Sequence, residues 1–256
     1  MEHLLRATAR AEARHFWFRG FRAFVTPLIR IALAGRARPV LLDCGCGTGA
    51  NVERFGGFGR AFGFDLSATG LRIGREAGRT RLARATVAAA PFPSAAFDLV
   101  TSFDVLYSLD DAAERAAVAE MFRLLKPGGY AIVNVAAMPV LRGDHSVLSH
   151  EVRRYSRDDL RARLEAAGFS IVRLTYTNAT LFPALAAARF VQRRRGLRTE
   201  TQAETEIRVP PAPINAILSL VMHVEAFFIR RFDAPFGSSL LCLARKPLAT
   251  PGSRSG

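Results

Sequence analysis

Short apolar runs, each closed by glycine or aspartate, alternate with amphipathic stretches along most of the chain. Residues 40–43, 61–65, 81–87, 97–104 and 130–136 each read as a buried strand. Helical stretches lie between them. One follows Gly49 and stops at Gly56-Gly57, and one covers residues 67–76. A third covers residues 112–125, starting at Asp110-Asp111 and ending at Lys126-Pro127-Gly128-Gly129. This alternation predicts an α/β fold with a mainly parallel sheet and helices on both faces. Residues 158–169 predict a further helix, capped by Asp158 or Asp159 and closed by Gly168. Residues 169–177 and 239–246 supply a sixth and a seventh strand. Residues 1–35 read as helix, kinked or restarted at Pro27.

The first strand runs into Asp43-Cys44-Gly45-Cys46-Gly47-Thr48-Gly49-Ala50. Glycines tolerate positive φ and let a ligand come close to the backbone. Gly45, Gly47 and Ala50 fit the loose dinucleotide spacing G-x-G-x-x-G/A. Asp43 changes that picture. A carboxylate at the strand tip repels a pyrophosphate and suits a positively charged ligand, such as the ammonium of a methionine moiety, which disfavours NAD. Asp65 lies 20 residues beyond Gly45, where a carboxylate meets ribose hydroxyls in nucleotide-binding sheets. It also reads as a helix cap.

On these residues the chain resembles the class I S-adenosylmethionine-dependent methyltransferases. Their D-x-G-x-G-x-G loop is matched position by position by Asp43, Gly45, Gly47 and Gly49. The phrases F-D-L-V at 97–100 and L-L-K-P-G-G at 124–129 extend the resemblance over residues 38–136. It implies a Rossmann-like sheet, mainly parallel with an antiparallel last strand. It also implies S-adenosyl-L-methionine as cofactor and S-adenosyl-L-homocysteine as product. Asp43, Gly45, Cys46, Gly47 and Gly49 would hold the methionine portion and Asp65 the ribose. Leu66, Thr86 and Phe103 would make further cofactor contacts. Thr86 and Ser108 depart from the pattern, standing where relatives commonly carry an acidic residue and a histidine.

The resemblance divides the chain into an N-terminal helical cap (1–37), a core (38–178 and 237–248), a helical insert (179–236) and a tail (249–256). The insert leaves the carboxyl end of the sixth strand, the edge where open α/β sheets bind ligands, so it reads as a cap over the substrate site. Ile214, Ile217, Leu218, Val221 and Phe228 form an apolar helical stripe in it. Glu225 falls within that stripe, where a buried carboxylate is either paired with an arginine or poised as an acid/base at the site. Segment 144–155 carries the reactive candidates. His145 and His150 could take a proton. Arg153, Arg154 and Tyr155, with Tyr107, could bind the acceptor. This grouping, with the aromatic segment 15–19, resembles a type 11-like bacterial subgroup associated with glycans, lipid-linked intermediates and small metabolites.

Composition adds a charge of +14. Of the 36 basic residues only Lys126 and Lys246 are lysines, leaving 34 arginines. High Ala and Gly content accompanies them, so base composition explains part of the bias. An anionic partner, whether phosphate, membrane surface or nucleic acid, would explain the rest. Three cysteines make neither a disulfide framework nor a zinc site, and no metal is expected. The N-terminus lacks an apolar signal core. The longest apolar stretch, 214–229, is interrupted by Asn215, His223 and Glu225. The chain therefore reads as cytoplasmic. Arg193-Arg194-Arg195 and Arg230-Arg231, beside apolar helices, would suit a peripheral position on the inner membrane surface. The expected reaction is methyl transfer, most simply to oxygen, on a small-molecule, glycan or lipid-linked acceptor. RNA as acceptor and a non-catalytic cofactor-binding scaffold are the alternatives.

Overall fold

A computed structural model describes residues 2–197 and 208–248. The predicted tail and the middle of the insert lie outside the described residues. Seven strands form one sheet: β1 (Val40–Cys44), β2 (Arg60–Asp65), β3 (Leu82–Arg84), β4 (Phe97–Phe103), β5 (Leu125–Ala136), β6 (Ser170–Thr177) and β7 (Ser239–Arg245). Their spatial order is β3-β2-β1-β4-β5-β7-β6. The first five run parallel, and β7 lies antiparallel between β5 and β6.

The central strands are apolar on both faces, as a doubly covered sheet requires. Successive residues alternate between two cores. Leu42, Val100, Val133 and Cys242 face one, and Leu41, Leu99, Ile132 and Leu241 the other. Helices α5 (Asp111–Leu124) and α7 (Arg157–Ala166) cover the first face through Ala117, Met121, Leu160 and Leu164. Helices α2 (Phe16–Leu33), α3 (Ala50–Phe55) and α9 (Ala212–Ile229) cover the second. The remaining helices are α1 (Glu2–Ala11), α4 (Ala68–Glu76), α6 (Asp144–Leu148) and α8 (Phe182–Arg194).

Asp98 fastens the amino edge of the sheet. Its carboxylate accepts from Arg36 at 2.7 Å, Lys126 at 2.8 Å and the Val40 N–H at 2.9 Å. Burial opposes its ionisation, but Lys126, Val40 and Arg36 together hold its pKa below the ordinary value. The F-D-L-V and K-P-G-G phrases thus meet in one ion-pair cluster.

Several boundaries differ from the sequence reading. The third strand is only three residues long, and a turn bridging Thr86 and Ala89 replaces its second half. The N-terminal helix breaks at residues 12–15 rather than at Pro27. His15 caps α2 by accepting from the Trp17 N–H at 3.1 Å, and Pro27 sits inside a continuous helix. Ser156, not Asp158 or Asp159, caps α7, and Asp159 completes a reciprocal capping box.

Helix α9 is inverted relative to expectation. Asn215, Ser219, Met222, Glu225, Ala226 and Ile229 face inward, while Ile214, Ile217, Leu220, Val224, Phe227 and Phe228 are each 48–65% exposed. Glu225 has no arginine partner among the described residues. It accepts from the Ala179 N–H (2.9 Å), the Thr180 N–H (3.0 Å) and the Thr180 hydroxyl, fixing the turn that follows β6. With 18 residues and a mean hydropathy of 1.7, α9 is long and apolar enough to cross a membrane. Of the polar residues that break the run in sequence, Asn215 and Glu225 lie on the packed side and His223 is exposed.

Candidate functional site

Strand order reverses between β1 and β4, so a crevice opens at the carboxyl ends of these two strands. The glycine loop forms one wall. Gly45, Gly47 and Gly49 take φ values of 76°, 55° and 78°, which a side chain would strain. The loop is wired into the sheet. The Gly45 and Cys46 N–H groups both donate to the Phe64 carbonyl (2.9 and 3.0 Å), and the Gly47 N–H donates to Asp65 Oδ2 at 2.8 Å. Asp65 Oδ1 accepts from the Ser67 N–H at 2.8 Å, and Ser67 in turn caps α4. Each oxygen keeps further acceptor capacity, so Asp65 can serve the loop and a pair of hydroxyls together. Leu66, 64% exposed, and exposed Thr86 follow the adjacent strands β2 and β3 and could flank a planar ring.

Asp43 is nearly inaccessible. Its carboxylate accepts from Thr101 Oγ1 at 2.6 Å and from Asn51. Burial raises its pKa to about 7, the two hydrogen bonds oppose that rise and neighbouring Asp65 adds to it. No arginine or lysine pairs with it among the described residues.

Two predicted cofactor contacts point elsewhere. A Cβ placed on Gly63 would meet Cys46 Sγ at 2.9 Å, so the Cys46 side chain packs under β2 and only its backbone can face the crevice. The Phe103 ring stacks edge-on against Phe21 of α2 at 4.9 Å and belongs to the second core.

The segment 144–155 also differs from expectation. Arg153 donates to Asp111, to Glu114 Oε2 at 2.6 Å and to the Leu109 carbonyl at 2.9 Å. The Tyr155 hydroxyl donates to Glu114 Oε1 at 2.7 Å. Arg154 forks onto Glu151 at 2.7 and 2.9 Å, and Tyr107 is buried with its hydroxyl bonded to Ser149. The polar groups of these four side chains are engaged within the fold rather than offered to an acceptor. His145 is half-buried, with its pKa lowered to about 4 by burial and by the positive charges of Arg189 and Arg154. It stays neutral at physiological pH and is a poor proton acceptor. His150 is exposed, with a left-handed φ of 51° just beyond α6.

Sequence reasoning passed over Asp104. It follows directly on β4 with φ 59°, a conformation unusual for a side chain-bearing residue and frequent at functional sites. It is accessible to solvent, though protein atoms crowd round its carboxylate. Burial raises its pKa to about 6, against the hydrogen bond from Asn134 Nδ2 at 2.9 Å. Its neighbour Val105 lies directly against Gly45, so Asp104 adjoins the glycine loop.

Residues 42–133 match the methyltransferase domain family. A probable S-adenosylmethionine-dependent methyltransferase of Mycolicibacterium smegmatis is 29% identical over 161 residues, 61% of this chain and 60% of that protein. The chain thus spans under two thirds of that relative's length. A ubiquinone/menaquinone biosynthesis C-methyltransferase of Shewanella halifaxensis is 28% identical over 184 residues, 56% of this chain and 71% of that one. The fold also superposes on a protein assigned as a methyltransferase in complex with the Haloferax volcanii Trm112 activator. That match has a TM-score of 0.60 at 17% identity and covers 96% of both chains.

Over residues 42–133 the chain is similar to the class I S-adenosylmethionine-dependent methyltransferases.

The residues present fit the cofactor of that family, S-adenosylmethionine. Asp43 is a buried acid without a cation beside it, and an ammonium would supply one. The left-handed glycines keep the loop free of side chains, and Asp65 retains acceptor sites for hydroxyls. Helix α1 closes over the outer side of the loop. A Cβ on Gly47 would meet Leu5 Cδ2 at 3.1 Å, and Thr48 donates to Glu12 at 3.0 Å. Helix α8 lies over the segment that follows β5, with Arg195 bound to Asp144 at 2.6 Å. Helix α9 instead runs along α2 on the sheet face, where Asn215 bonds the Phe16 N–H and the Arg14 carbonyl.

Proposed function

We propose that this chain is an S-adenosylmethionine-dependent methyltransferase that transfers the methyl group to an oxygen of a small-molecule, glycan or lipid-linked acceptor, and that Asp104 receives the acceptor's proton. The observation that carries this reading is Asp104 itself, an accessible carboxylate beside the glycine loop with its pKa raised to about 6. When bound, S-adenosylmethionine supplies an activated methyl group on a sulfonium. The chain's own task is then positioning and proton removal. Asp43 and the glycine loop hold the amino-acid end and Asp65 the ribose. Asn134 donates to Asp104 Oδ1 and fixes its rotamer, leaving Oδ2 for an incoming hydroxyl. Asn134 Oδ1 is itself buried with no partner among the described residues.

The test supplies methyl-labelled S-adenosylmethionine and cell extract to the purified protein, then separates lipid, small-molecule, RNA and protein fractions. The reading expects label in the lipid or small-molecule fraction. Asp104→Asn should lose about 10²–10⁴-fold in turnover while keeping cofactor affinity. Label confined to RNA, or full turnover in Asp104→Asn, overturns it. The similarity to a C-methyltransferase favours carbon as a second acceptor atom. Fragmentation of the labelled product decides between carbon and oxygen.

A further inference from the structure

Helix α9 presents to solvent the side that a soluble helix hides. Ile214, Ile217, Leu220, Val224, Phe227 and Phe228 make a continuous outward stripe, and Phe232, 70% exposed, extends it. Contiguous apolar surface of this kind marks an interaction site. The charge around it selects the partner. Glu225 is the only acid in residues 208–232, and it points inward. Exposed Arg230 and Arg231 stand at the carboxyl end of α9, and neither is ion-paired among the described residues. At the amino end a hollow of about 500 Å³ lies between Arg14 and Arg19 and the residues Val209, Pro210, Ala212 and Ala216.

We propose that this face is a membrane-docking surface for an anionic phospholipid bilayer. Helix α9 would lie in the plane of the interface, with its stripe among the acyl chains and arginines at both ends at headgroup level. Its length is about 27 Å, so both arginine groups reach the same surface together. The hollow bounded by Arg14 and Arg19 would receive a lipid phosphate. A spanning orientation is excluded by the other side of α9, where Met222, Ala226 and Ile229 are built into the core and Glu225 fixes the turn after β6. Surface attachment by one amphipathic face plus basic residues is how monotopic proteins bind. The proposal does not depend on which atom is methylated.

The experiment is co-sedimentation of the full chain with vesicles of phosphatidylcholine containing 30% phosphatidylglycerol, against phosphatidylcholine alone. The protein should pellet with the anionic vesicles, less so as salt rises. Arg230→Ala with Arg231→Ala should weaken binding about 30-fold, roughly five-fold per arginine. Leu220→Glu with Phe227→Glu should abolish binding without lowering the melting temperature, because both positions are outside the core. Two results overturn the proposal. One is wild-type protein left in the supernatant with both vesicle types. The other is a stable dimer that the glutamate variants convert to monomer, which would make the stripe an interface between copies.

Discussion

Asp43 sets the pH behaviour of the cofactor site. Its folded pKa, about 7, is raised above the unfolded value of about 3.9. Its contribution to the stability of the ligand-free protein is therefore fully present below the unfolded value and is lost as pH rises through 7, a change on the order of 4 kcal/mol. Binding of a cationic ligand runs the other way, because it needs the carboxylate. Affinity for S-adenosylhomocysteine should climb as pH rises through about 7 and level off once Asp43 is fully ionised. Asp43→Asn should flatten that profile; titrations from pH 6 to 8 read both. At Asp104 the raised pKa of about 6 predicts turnover that falls below pH 6 as the carboxyl becomes protonated. His145→Gln should leave that limb in place. Asp43, Gly45, Gly47, Gly49 and Asp65 were legible in the sequence because close approach and a cationic ligand demand particular residues at fixed spacing. Asp104 was not, because one aspartate at a strand end looks like any turn residue until its φ and its place beside the glycine loop are seen.

Among the elements, α5, α7 and the loop before α7 are joined through Glu114. This fully buried carboxylate accepts from Arg153, Arg163 and the Tyr155 hydroxyl. Removing this buried acid leaves the two arginines with only the exposed carboxylate of Asp111. Glu114→Ala should cost about 3–5 kcal/mol in denaturant unfolding, with no direct effect on cofactor affinity measured on the folded fraction. An unchanged midpoint would show the cluster to be incidental. Arg153 and Tyr155 read as acceptor ligands in sequence because nothing local reveals an acid 39 and 41 residues away. The strands β1, β2, β4 and β5 were legible to within a few residues, since both faces are buried and their apolar runs are unbroken. The inversion of α9 was not. An apolar stripe shows which residues share a side of a helix, and only packing shows which side is inside.

At the scale of the whole molecule, a seven-stranded sheet places a cofactor crevice at one edge, with α1 closing on it and α8 over the neighbouring loop. The same fold leaves an apolar, arginine-ended helix on its flank. Glu12 connects the closing helix to the loop through Thr48 and Arg79. Glu12→Ala should speed cofactor release several-fold while changing unfolding free energy by no more than about 1 kcal/mol; stopped-flow displacement reads the rate. Every functional role assigned above depends on the glycine loop and Asp43 forming a cofactor site. The most direct measurement is calorimetric titration of S-adenosylhomocysteine into the wild-type chain and into Asp43→Ala at pH 8. The account predicts one site per chain in the wild type and affinity at least about 30-fold weaker in the variant, the loss expected when a buried charge loses its partner. Equal affinity in both proteins, or no binding by the wild type, would contradict it.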